Sequence, residues 1–283
     1  MKLLRRLNFV VARPPISWLI RPPRVWNRRE PSQSYQEIVR AGLGFLEGFP
    51  QVSDVAGKAV LDIGCGPGGH TAALARAGAV ATGLDLDPEK LRWARSLQAG
   101  TRTAGARFVL GSAMSLPFPD HSFHLALLLE VIEHLEDPQA ALREIRRVLL
   151  PDGQAFVTFP PYRSPWGAHL FEHVPIPWAH LICPGRPLLE LWRDIHARKA
   201  ARGEALTSAA RAQCIMDADS VAELWSLNEM TIKRFLEMLP AASLEVVAVR
   251  LHTPGGLGAP LTRLHSIREY IVTRVSAVVR PQC

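Results

Sequence analysis

A glycine-rich turn and a following aspartate form the part of this sequence best suited to chemistry. The turn, Gly64–Gly69, joins a short apolar run, Ala59–Ile63, to a helical pattern, Thr71–Ala77. Such a turn presents backbone N–H groups and the positive end of a helix, and its glycines let a ligand lie directly on the backbone. Asp85 ends the next apolar run, where a carboxylate can accept hydrogen bonds from both hydroxyls of a ribose. These features predict a site for an adenosine-containing cofactor.

Asp62 indicates which kind of adenosine-containing cofactor the site would hold. The spacing Gly64-x-Gly66-x-x-Gly69 satisfies the dinucleotide fingerprint, which is weak evidence when it stands alone. Asp62 lies inside the strand before the turn, where its carboxylate could hold an ammonium group and would repel a pyrophosphate. We therefore favour a cofactor with an amino-acid end. An NAD(P)-dependent oxidoreductase is the alternative.

The elements that position these residues alternate between strand and helix. Apolar runs predict five successive strands, Ala59–Ile63, Ala79–Leu84, Arg107–Leu110, Phe123–Leu129 and Gln154–Phe159. Helical patterns lie between them, at Thr71–Ala77, Pro88–Gln98 and Pro138–Leu149, and Pro151–Gly153 has the composition of a turn. This alternation predicts a parallel sheet with helices on both faces.

The later sequence changes character and suggests the organisation of the whole chain. Residues 160–187 are rich in proline, residues 188–240 are mostly helical in pattern, and two β-rich segments, Leu244–Leu251 and Ile271–Val279, follow. We expect an α/β fold with a Rossmann-like, doubly wound sheet, mostly parallel with an antiparallel last strand, and a helical lid inserted between strands five and six. The expected parts are an N-terminal arm (1–34), a core (35–160), a lid (161–240) and the closing strands (241–283).

The basic character of the chain is confined to its N-terminal arm. The net charge of +7 arises from 33 Lys and Arg against 26 Asp and Glu, and all of the excess lies in residues 1–30. The balanced remainder gives no basis for nucleic-acid binding. Prolines and arginines interrupt the apolar residues of the arm, so it fits neither a signal peptide nor a membrane span. We expect it either to contact anionic lipid or to pack on its own domain; its acid-poor composition also fits a mitochondrial transit peptide.

Neither the cysteines nor the histidines indicate a metal site. The spacing of the four cysteines predicts no disulfide framework and no zinc ribbon, so a reducing cytoplasm is the expected compartment. The segment His169–His173 matches the H-x-x-E-H pattern of some zinc enzymes, but the surrounding prolines oppose the helix that such a site needs. No metal is therefore expected.

An ordered set of motifs over about 100 residues resembles class I S-adenosylmethionine-dependent methyltransferases. The matching runs are VLDIGCGPGGHTAALARAG, GLDLDPEKL and FVLGSAMSLPFPDHSFHLALLLEVIEHLEDPQAALREIRRVLLPDGQAFVTFPPY. They look most like the ubiquinone-biosynthesis-like (type 11) group, and the resemblance implies S-adenosylmethionine as the cofactor. The residues that it assigns to the cofactor are Asp62, Gly64, Cys65, Gly66 and Gly68 at the methionine end, Asp85 at the ribose, Leu86, Ser112, Ala113 and Met114 around the adenine, and Glu130 after the fourth strand.

Two positions depart from the family pattern. Ser112 stands where the family usually has an aspartate that bonds the adenine amino group, so a charge-assisted increment of about 1 kcal/mol is absent. His124 stands where the family usually has an aspartate at the start of the fourth strand, and we expect it to have a structural role.

The acceptor of the methyl group is predicted only by class. Histidine can remove an acceptor's proton near neutral pH, and His173, then His169, are the preferred candidates, with His134 nearer the mouth of the cofactor site and His180 also in the lid. The aromatic residues of the lid predict an apolar pocket. These are Trp166, Phe171, Trp178, Trp192, Trp225 and Phe235. We therefore expect a small hydrophobic acceptor, with oxygen favoured, and keep a non-catalytic cofactor-binding protein as a further alternative.

Overall fold

The computed structural model describes residues 31–101, 105–167, 169, 174, 176–183, 185–201, 220, 223, 226–253 and 259–282. Residues 1–30 of the predicted arm lie outside the described residues, as do the candidate base His173 and the lid aromatics Phe171 and Trp225. The last residues of the predicted arm belong to a helix that begins at Pro31.

The described residues form a seven-stranded sheet with helices between its strands. The strands are β1 Ala59–Ile63, β2 Val80–Asp85, β3 Arg107–Leu110, β4 Phe123–Leu129, β5 Leu149–Phe159, β6 Leu244–His252 and β7 Arg274–Pro281. The described α-helices are α1 Pro31–Ala41, α2 Pro50–Ser53, α3 Gly69–Arg76, α4 Pro88–Thr101, α5 Pro138–Val148, α6 Ala179–Ile182, α7 Arg186–Ala200, α8 Ile232–Ala241 and α9 His265–Ile271.

The strand order of the sheet is β3-β2-β1-β4-β5-β7-β6. The pairs β2–β3, β1–β2, β1–β4 and β4–β5 are all parallel. The last two strands are antiparallel to each other, because Thr273 N donates to His252 O at 2.8 Å while Gln282 N donates to Ser243 O at 2.9 Å. The predicted fold, a mostly parallel Rossmann-like sheet with one antiparallel end, is confirmed.

Local sequence explains where two of these helices begin. Asp87 Oδ1 accepts the backbone N–H groups of Glu89 at 2.8 Å and Lys90 at 3.4 Å, so Asp87 caps α4 as its sequence predicts. Asp137 Oδ1 accepts the N–H of Ala140 at 2.9 Å, and Pro138 occupies the first turn of α5. An aspartate cap therefore fixes the first turn of each helix.

The sequence predicts a turn at Pro151–Gly153 before the fifth strand, and this boundary of the strand is wrong. The structure includes these residues in β5, whose pairing with β4 shifts register between Phe123 and Leu125. Phe123 pairs with Leu149 and Leu125 pairs with Gln154, so the extra residues of β5 are accommodated by an irregularity within the strand pair.

The chain divides into two compact units. The described residues of one unit lie within 31–159, 233–250 and 276–282, and its apolar core joins Val60, Leu127 and Phe156 of the sheet with residues from the helical segment before β1. The described residues of the other unit lie within 160–232 and 251–275. Its core cluster includes Val174 and Trp192. Over the described part of the chain, none of the helices combines the length and the apolar character that crossing a bilayer would require.

Candidate active site

The strand order brings the predicted cofactor residues to one edge of the sheet. Strands β3, β2, β1 and β4 are neighbours and run parallel, so their carboxyl ends meet at the same edge. Asp62 lies near the end of β1, Asp85 ends β2, and Glu130 directly follows β4. In open α/β sheets this edge is where ligands bind.

Asp62 is a buried carboxylate that the fold holds at an energetic cost. Its side chain is 2% exposed, and its Oδ2 accepts a 2.6 Å hydrogen bond from the hydroxyl of Thr71 in the first turn of α3. Burial, with a smaller contribution from the charge of Asp85, raises the pKa of Asp62 to about 6 against the opposing effect of the bond from Thr71. A carboxylate in this state gains from a cationic partner.

Asp85 is fixed by two backbone hydrogen bonds. Its Oδ2 accepts the N–H of Gly66 at 2.8 Å, and its Oδ1 accepts the N–H of Asp87 at 2.9 Å. An ionised carboxylate has about four lone-pair sites, so two bonds leave acceptor capacity for ribose hydroxyls. The same contacts join the end of β2 to the glycine turn that follows β1.

The glycine turn needs its glycines for different reasons. Gly64 has φ +72°, and a Cβ there would lie 2.5 Å from a methyl group of Val131, so a larger residue would be strained and would displace Val131. Gly66 has φ +54°, but a Cβ there would meet no atom within 4 Å. Gly68, with φ +81°, precedes α3 and packs against Phe108. The open space over Gly66 is therefore where a ligand can approach the backbone.

Cys65 packs behind the turn. Its thiol is buried, and a Cβ at Gly83 of β2 would lie 2.8 Å from its sulfur and 2.7 Å from the hydroxyl of Thr71. Burial raises the pKa of the Cys65 thiol, and the carboxylates of Asp62 and Asp85 add to the rise, so the thiol stays neutral. The side chain therefore fills space, and the contribution of Cys65 to a cofactor site is the shape of the turn.

The loop after β3 lies beside Asp85. Gly111 N donates to the backbone oxygen of Asp85 at 3.1 Å, which joins this loop to the end of β2. The hydroxyl of Ser112 accepts a hydrogen bond from the N–H of Met114 at 3.2 Å. Ala113, which the resemblance also assigns to the adenine, is buried. Leu86, directly after the carboxylate, is 71% exposed. A planar apolar group such as adenine could cover it.

Arg147 of α5 holds the loop after β3 in place, a role that no sequence motif indicates. Its guanidinium donates to Leu116 O at 2.9 Å, to Phe118 O at 2.8 Å and to Asp120 Oδ1 at 2.8 Å. It also makes two 2.8 Å bonds to Glu144, whose Oε2 accepts the N–H of Leu116 at 2.7 Å. All five guanidinium donors are used, which is the condition for a rigid attachment.

The fourth strand is followed by two acidic residues. Glu130 has φ +55°, and its carboxylate accepts the hydroxyl of Thr158 at 3.2 Å. Glu133 is 2% exposed in a short 3-10 helix, Ile132–His134, and burial together with the charge of Glu130 raises its pKa. His134 follows it, with Nε2 3.9 Å from Glu133 Oε1. The sequence motifs single out Glu130 and His134 but not the buried acid between them.

The remaining histidines have different surroundings. His169 is half-buried with φ +57°, and its backbone N–H donates to Trp166 O at 3.1 Å. His180 is 6% exposed, its Nε2 lies 2.7 Å from Tyr162 O, and burial lowers its pKa, so it is tied to its own unit. The Nδ1 of His124 accepts the N–H of the first residue of β1 at 3.2 Å, in keeping with the structural role expected for it.

Three of the lid aromatics are core residues. Trp166, Trp192 and Phe235 are at most 4% exposed, and Phe235 packs on Phe159 with ring centroids 5.1 Å apart. Trp178 is half-buried, and its Nε1 donates to the backbone oxygen of residue 270 at 2.7 Å. The described aromatics therefore serve packing, and they do not by themselves support the predicted apolar pocket.

The donor set fits S-adenosylmethionine better than a dinucleotide. A buried carboxylate at Asp62 suits an ammonium group, Asp85 suits a ribose, and the backbone at Gly66 is open to a ligand. The pyrophosphate of NAD would bring further negative charge to a place where the charge of Asp85 already raises the pKa of Asp62.

Comparison with known proteins supports this interpretation. A family model described as "Methyltransferase domain" matches residues 61–157. An uncharacterized methyltransferase of Mycobacterium sp. (strain JLS) is 38% identical over 113 residues, which is 40% of this chain and 43% of that protein. A ubiquinone biosynthesis O-methyltransferase of Paracidovorax citrulli (strain AAC00-1) is 33% identical over 135 residues, which is 47% of this chain and 55% of that protein. The chain thus spans about half the length of these curated relatives.

A solved structure agrees on the fold. An S-adenosylmethionine-dependent methyltransferase from Mesorhizobium loti superposes with a TM-score of 0.52 at 18% identity, over 86% of this chain and 96% of that one. The matched residues 61–157 contain the whole glycine turn, Asp85 and Glu130. Residues 61–157 thus match a methyltransferase domain, and the fold and the donor set of the chain agree with S-adenosylmethionine as its cofactor.

Proposed function

We propose that this protein transfers the methyl group of S-adenosylmethionine to an oxygen atom of a small hydrophobic molecule. The observation that carries the cofactor half is the pair of carboxylates on neighbouring parallel strands, Asp62 and Asp85, together with the open backbone of Gly66. The acceptor half is supported by the named activity of the Paracidovorax citrulli relative, a ubiquinone biosynthesis O-methyltransferase.

Each end of the cofactor would meet a different group of residues. Asp62 would hold the ammonium of the methionine part, with Thr71 keeping its carboxylate oriented. Asp85 would accept the ribose hydroxyls from a position fixed by two backbone N–H groups. The adenine would then lie towards β3, between Leu86 and the loop that begins at Ser112, in accord with the strand order. Bound there, the cofactor supplies an electrophilic methyl group on a sulfonium.

The protein's part in methyl transfer is positioning and proton removal. The reaction is an in-line displacement, so aligning the acceptor oxygen with the methyl group provides most of the acceleration. An acceptor hydroxyl must lose its proton during the reaction, and a histidine is the side chain suited to this near neutral pH. We propose His173 or His169 for this role, and His134 for a place beside the cofactor.

Calorimetric titration of the purified protein with S-adenosylhomocysteine, S-adenosylmethionine and NADH tests the cofactor assignment. We expect binding of the two adenosyl ligands and none of NADH. Asp85→Ala removes charge-assisted contacts of about 1.5–3 kcal/mol, which would weaken adenosyl binding about 10- to 150-fold. Binding of NADH alone would overturn the assignment.

A second assay separates catalysis from cofactor binding. The protein is incubated with methyl-labelled S-adenosylmethionine and a panel of catechols, hydroxyquinones and aliphatic alcohols, and products are identified by mass and NMR. Label transferred to a phenolic oxygen supports the proposal. Label on carbon or nitrogen contradicts the choice of oxygen. Adenosyl binding without transfer to any acceptor, also in extract, would indicate a non-catalytic cofactor-binding protein.

A further inference from the structure

Exposed apolar side chains are concentrated in the unit whose described residues lie within 160–232 and 251–275. Among the described residues, twelve large hydrophobic side chains are exposed, and six of them lie in two short segments of this unit. These six are Leu181, Ile182, Leu261, Leu264, Ile267 and Tyr270. Single exposed hydrophobic residues are ordinary on protein surfaces, whereas a group of them marks a site of contact.

Four of the six lie in one short stretch of the chain, residues 261–270. Leu261 lies in the 3-10 helix Ala259–Arg263, Leu264 is the extended residue before α9, and Ile267 and Tyr270 lie in α9; their exposed fractions lie between 38% and 52%. Ile267 and Tyr270 are three residues apart within α9 and are therefore neighbours on its surface. We call these four side chains, together with Arg263, the α9 surface.

The opposite side of α9 is attached to its own unit. Glu269 is 6% exposed, and its Oε2 accepts the backbone N–H of Ile232 at 2.9 Å. At the next residue of α9, Tyr270 O accepts the indole N–H of Trp178, the residue before α6. That bond places α6 beside α9, and α6 carries the two other exposed apolar side chains. The apolar face of α9 is therefore outward, with further apolar side chains on the adjacent helix.

The exposed charged side chains of residues 259–274 are all basic. Arg263 and Arg274 are exposed, and Arg268 is half-buried. Glu269, the acidic residue of this segment, is buried and accepts the N–H of Ile232. Arg263 directly precedes Leu264 in the chain, so a cation adjoins the exposed apolar side chains. A surface that joins apolar side chains to cations is complementary to an anionic lipid headgroup layer.

We propose that the α9 surface binds the surface of an anionic membrane. Leu264 and Ile267 would enter the boundary between headgroups and acyl chains, and Arg263 would stay at the level of the headgroup phosphates. Nucleic acid offers no apolar layer for four exposed apolar side chains, which makes it a poor match for the same surface. This proposal is independent of the methyl acceptor and of the predicted arm, since it rests only on residues of α6, α9 and the segment before α9.

Co-sedimentation of the full chain with vesicles tests the proposal. One set of vesicles is phosphatidylcholine alone, and the other contains equal parts of phosphatidylcholine and phosphatidylglycerol. We expect the wild type to bind the anionic vesicles more tightly. The double variant Leu264→Ser/Ile267→Ser should bind them at least about tenfold more weakly, because two side chains lose their apolar burial. Arg263→Gln should weaken binding to anionic vesicles about fivefold and leave binding to neutral vesicles unchanged.

A matched control is available on β6. Val246 and Val249 are 43% and 40% exposed, so Val246→Ser/Val249→Ser removes a similar exposed apolar area outside the α9 surface and should bind like the wild type. Binding of S-adenosylhomocysteine reports that every variant is folded. No binding of the wild type to anionic vesicles would overturn the proposal. Unchanged binding of the Leu264/Ile267 variant would assign membrane contact to another part of the chain and overturn it equally.

Discussion

Replacing Asp62 by asparagine should stabilise the free protein and weaken cofactor binding. The carboxylate is buried beside α3, and its desolvation is only partly offset by the hydroxyl of Thr71. Asparagine has nearly the same shape and can still accept that hydroxyl's hydrogen bond, but it carries no charge to desolvate. It also offers no charge to an ammonium group, so the two properties should change in opposite directions.

The size of the stability gain follows from the pKa of Asp62. Its rise from 3.8 to about 6 corresponds to about 3 kcal/mol of destabilisation when the carboxylate is ionised in both states. The sign is set by proton uptake: between about pH 4 and 6 the folded state binds more protons than the unfolded state, so stability increases as the pH falls. The gain from Asp62→Asn is thus full above about pH 6 and absent below about pH 4.

Thermal unfolding followed by circular dichroism at about pH 7 and about pH 4.5 measures this difference. At the higher pH the variant should melt up to about 6–12 °C above the wild type. At the lower pH most of that difference should disappear. Thr71→Val, which removes the bond that lowers the pKa, should shift stability in the opposite direction at neutral pH. An Asp62→Asn variant that melts no higher than the wild type, or a gain independent of pH, would refute the electrostatic reasoning.

Three further outcomes are expected from the site. The affinity for S-adenosylhomocysteine should fall about tenfold per pH unit below about pH 6 in calorimetric titrations, and Asp62→Asn should lose this dependence. Gly66→Ala should abolish cofactor binding, whereas the control Gly42→Ala should leave it unchanged. Both variants should lose about 1–2 kcal/mol of unfolding free energy, since Gly42 has φ +61° and surroundings as open as those of Gly66. Equal cofactor binding by both variants would contradict the proposal that the ligand lies against the backbone of Gly66. Arg147→Lys should raise the KM for S-adenosylmethionine about tenfold without lowering kcat in a steady-state methyl-transfer assay, whereas Arg143→Lys on the same helix should change neither.

Strand positions are predictable from sequence where an apolar run has clear ends. Strands β1 and β4 have the predicted bounds, since each is a largely buried apolar run. The edge strand β3 also has its predicted bounds, because Gly111 follows it directly. The start of β5 is not predictable in this way, because Pro151–Gly153 has the composition of a turn while the pairing of Phe123 with Leu149 extends the strand across it. Pairing with a distant partner is a tertiary effect that local composition does not contain.

Helix beginnings are less predictable for a related reason. Glycine content predicts a turn through Gly69, but α3 begins at Gly69, where a Cβ would lie only 3.0 Å from Ile38 of α1. Close packing between α1 and α3 therefore requires the absence of a side chain at that residue. A glycine in a sequence indicates a turn. The role of Gly69 in helix packing depends instead on its contact with Ile38, which the sequence does not reveal.

The residues that position the site are harder to predict than those that would touch the cofactor. Asp62 and Asp85 stand out by their place at strand ends, whereas Thr71 is one hydroxyl within a helical pattern. Glu144 and Arg147 have the three-residue spacing of an ordinary ion pair on a solvent-facing helix. Their bonds to the loop after β3 depend on how α5 lies against that loop. Such roles come from tertiary contacts between segments about 30 residues apart.

The cost of Asp62 also bears on the identity of the ligand. A buried carboxylate close to a second one opposes folding, and the hydroxyl of Thr71 offsets only part of that cost. A ligand that brings positive charge relieves the cost on binding, whereas one that brings phosphates increases it. S-adenosylmethionine carries an ammonium and a sulfonium, so its charges complement the carboxylates of β1 and β2 where a dinucleotide's would not. The electrostatic cost of the buried Asp62 carboxylate in the free protein therefore contributes to the selectivity of the site for a cationic cofactor.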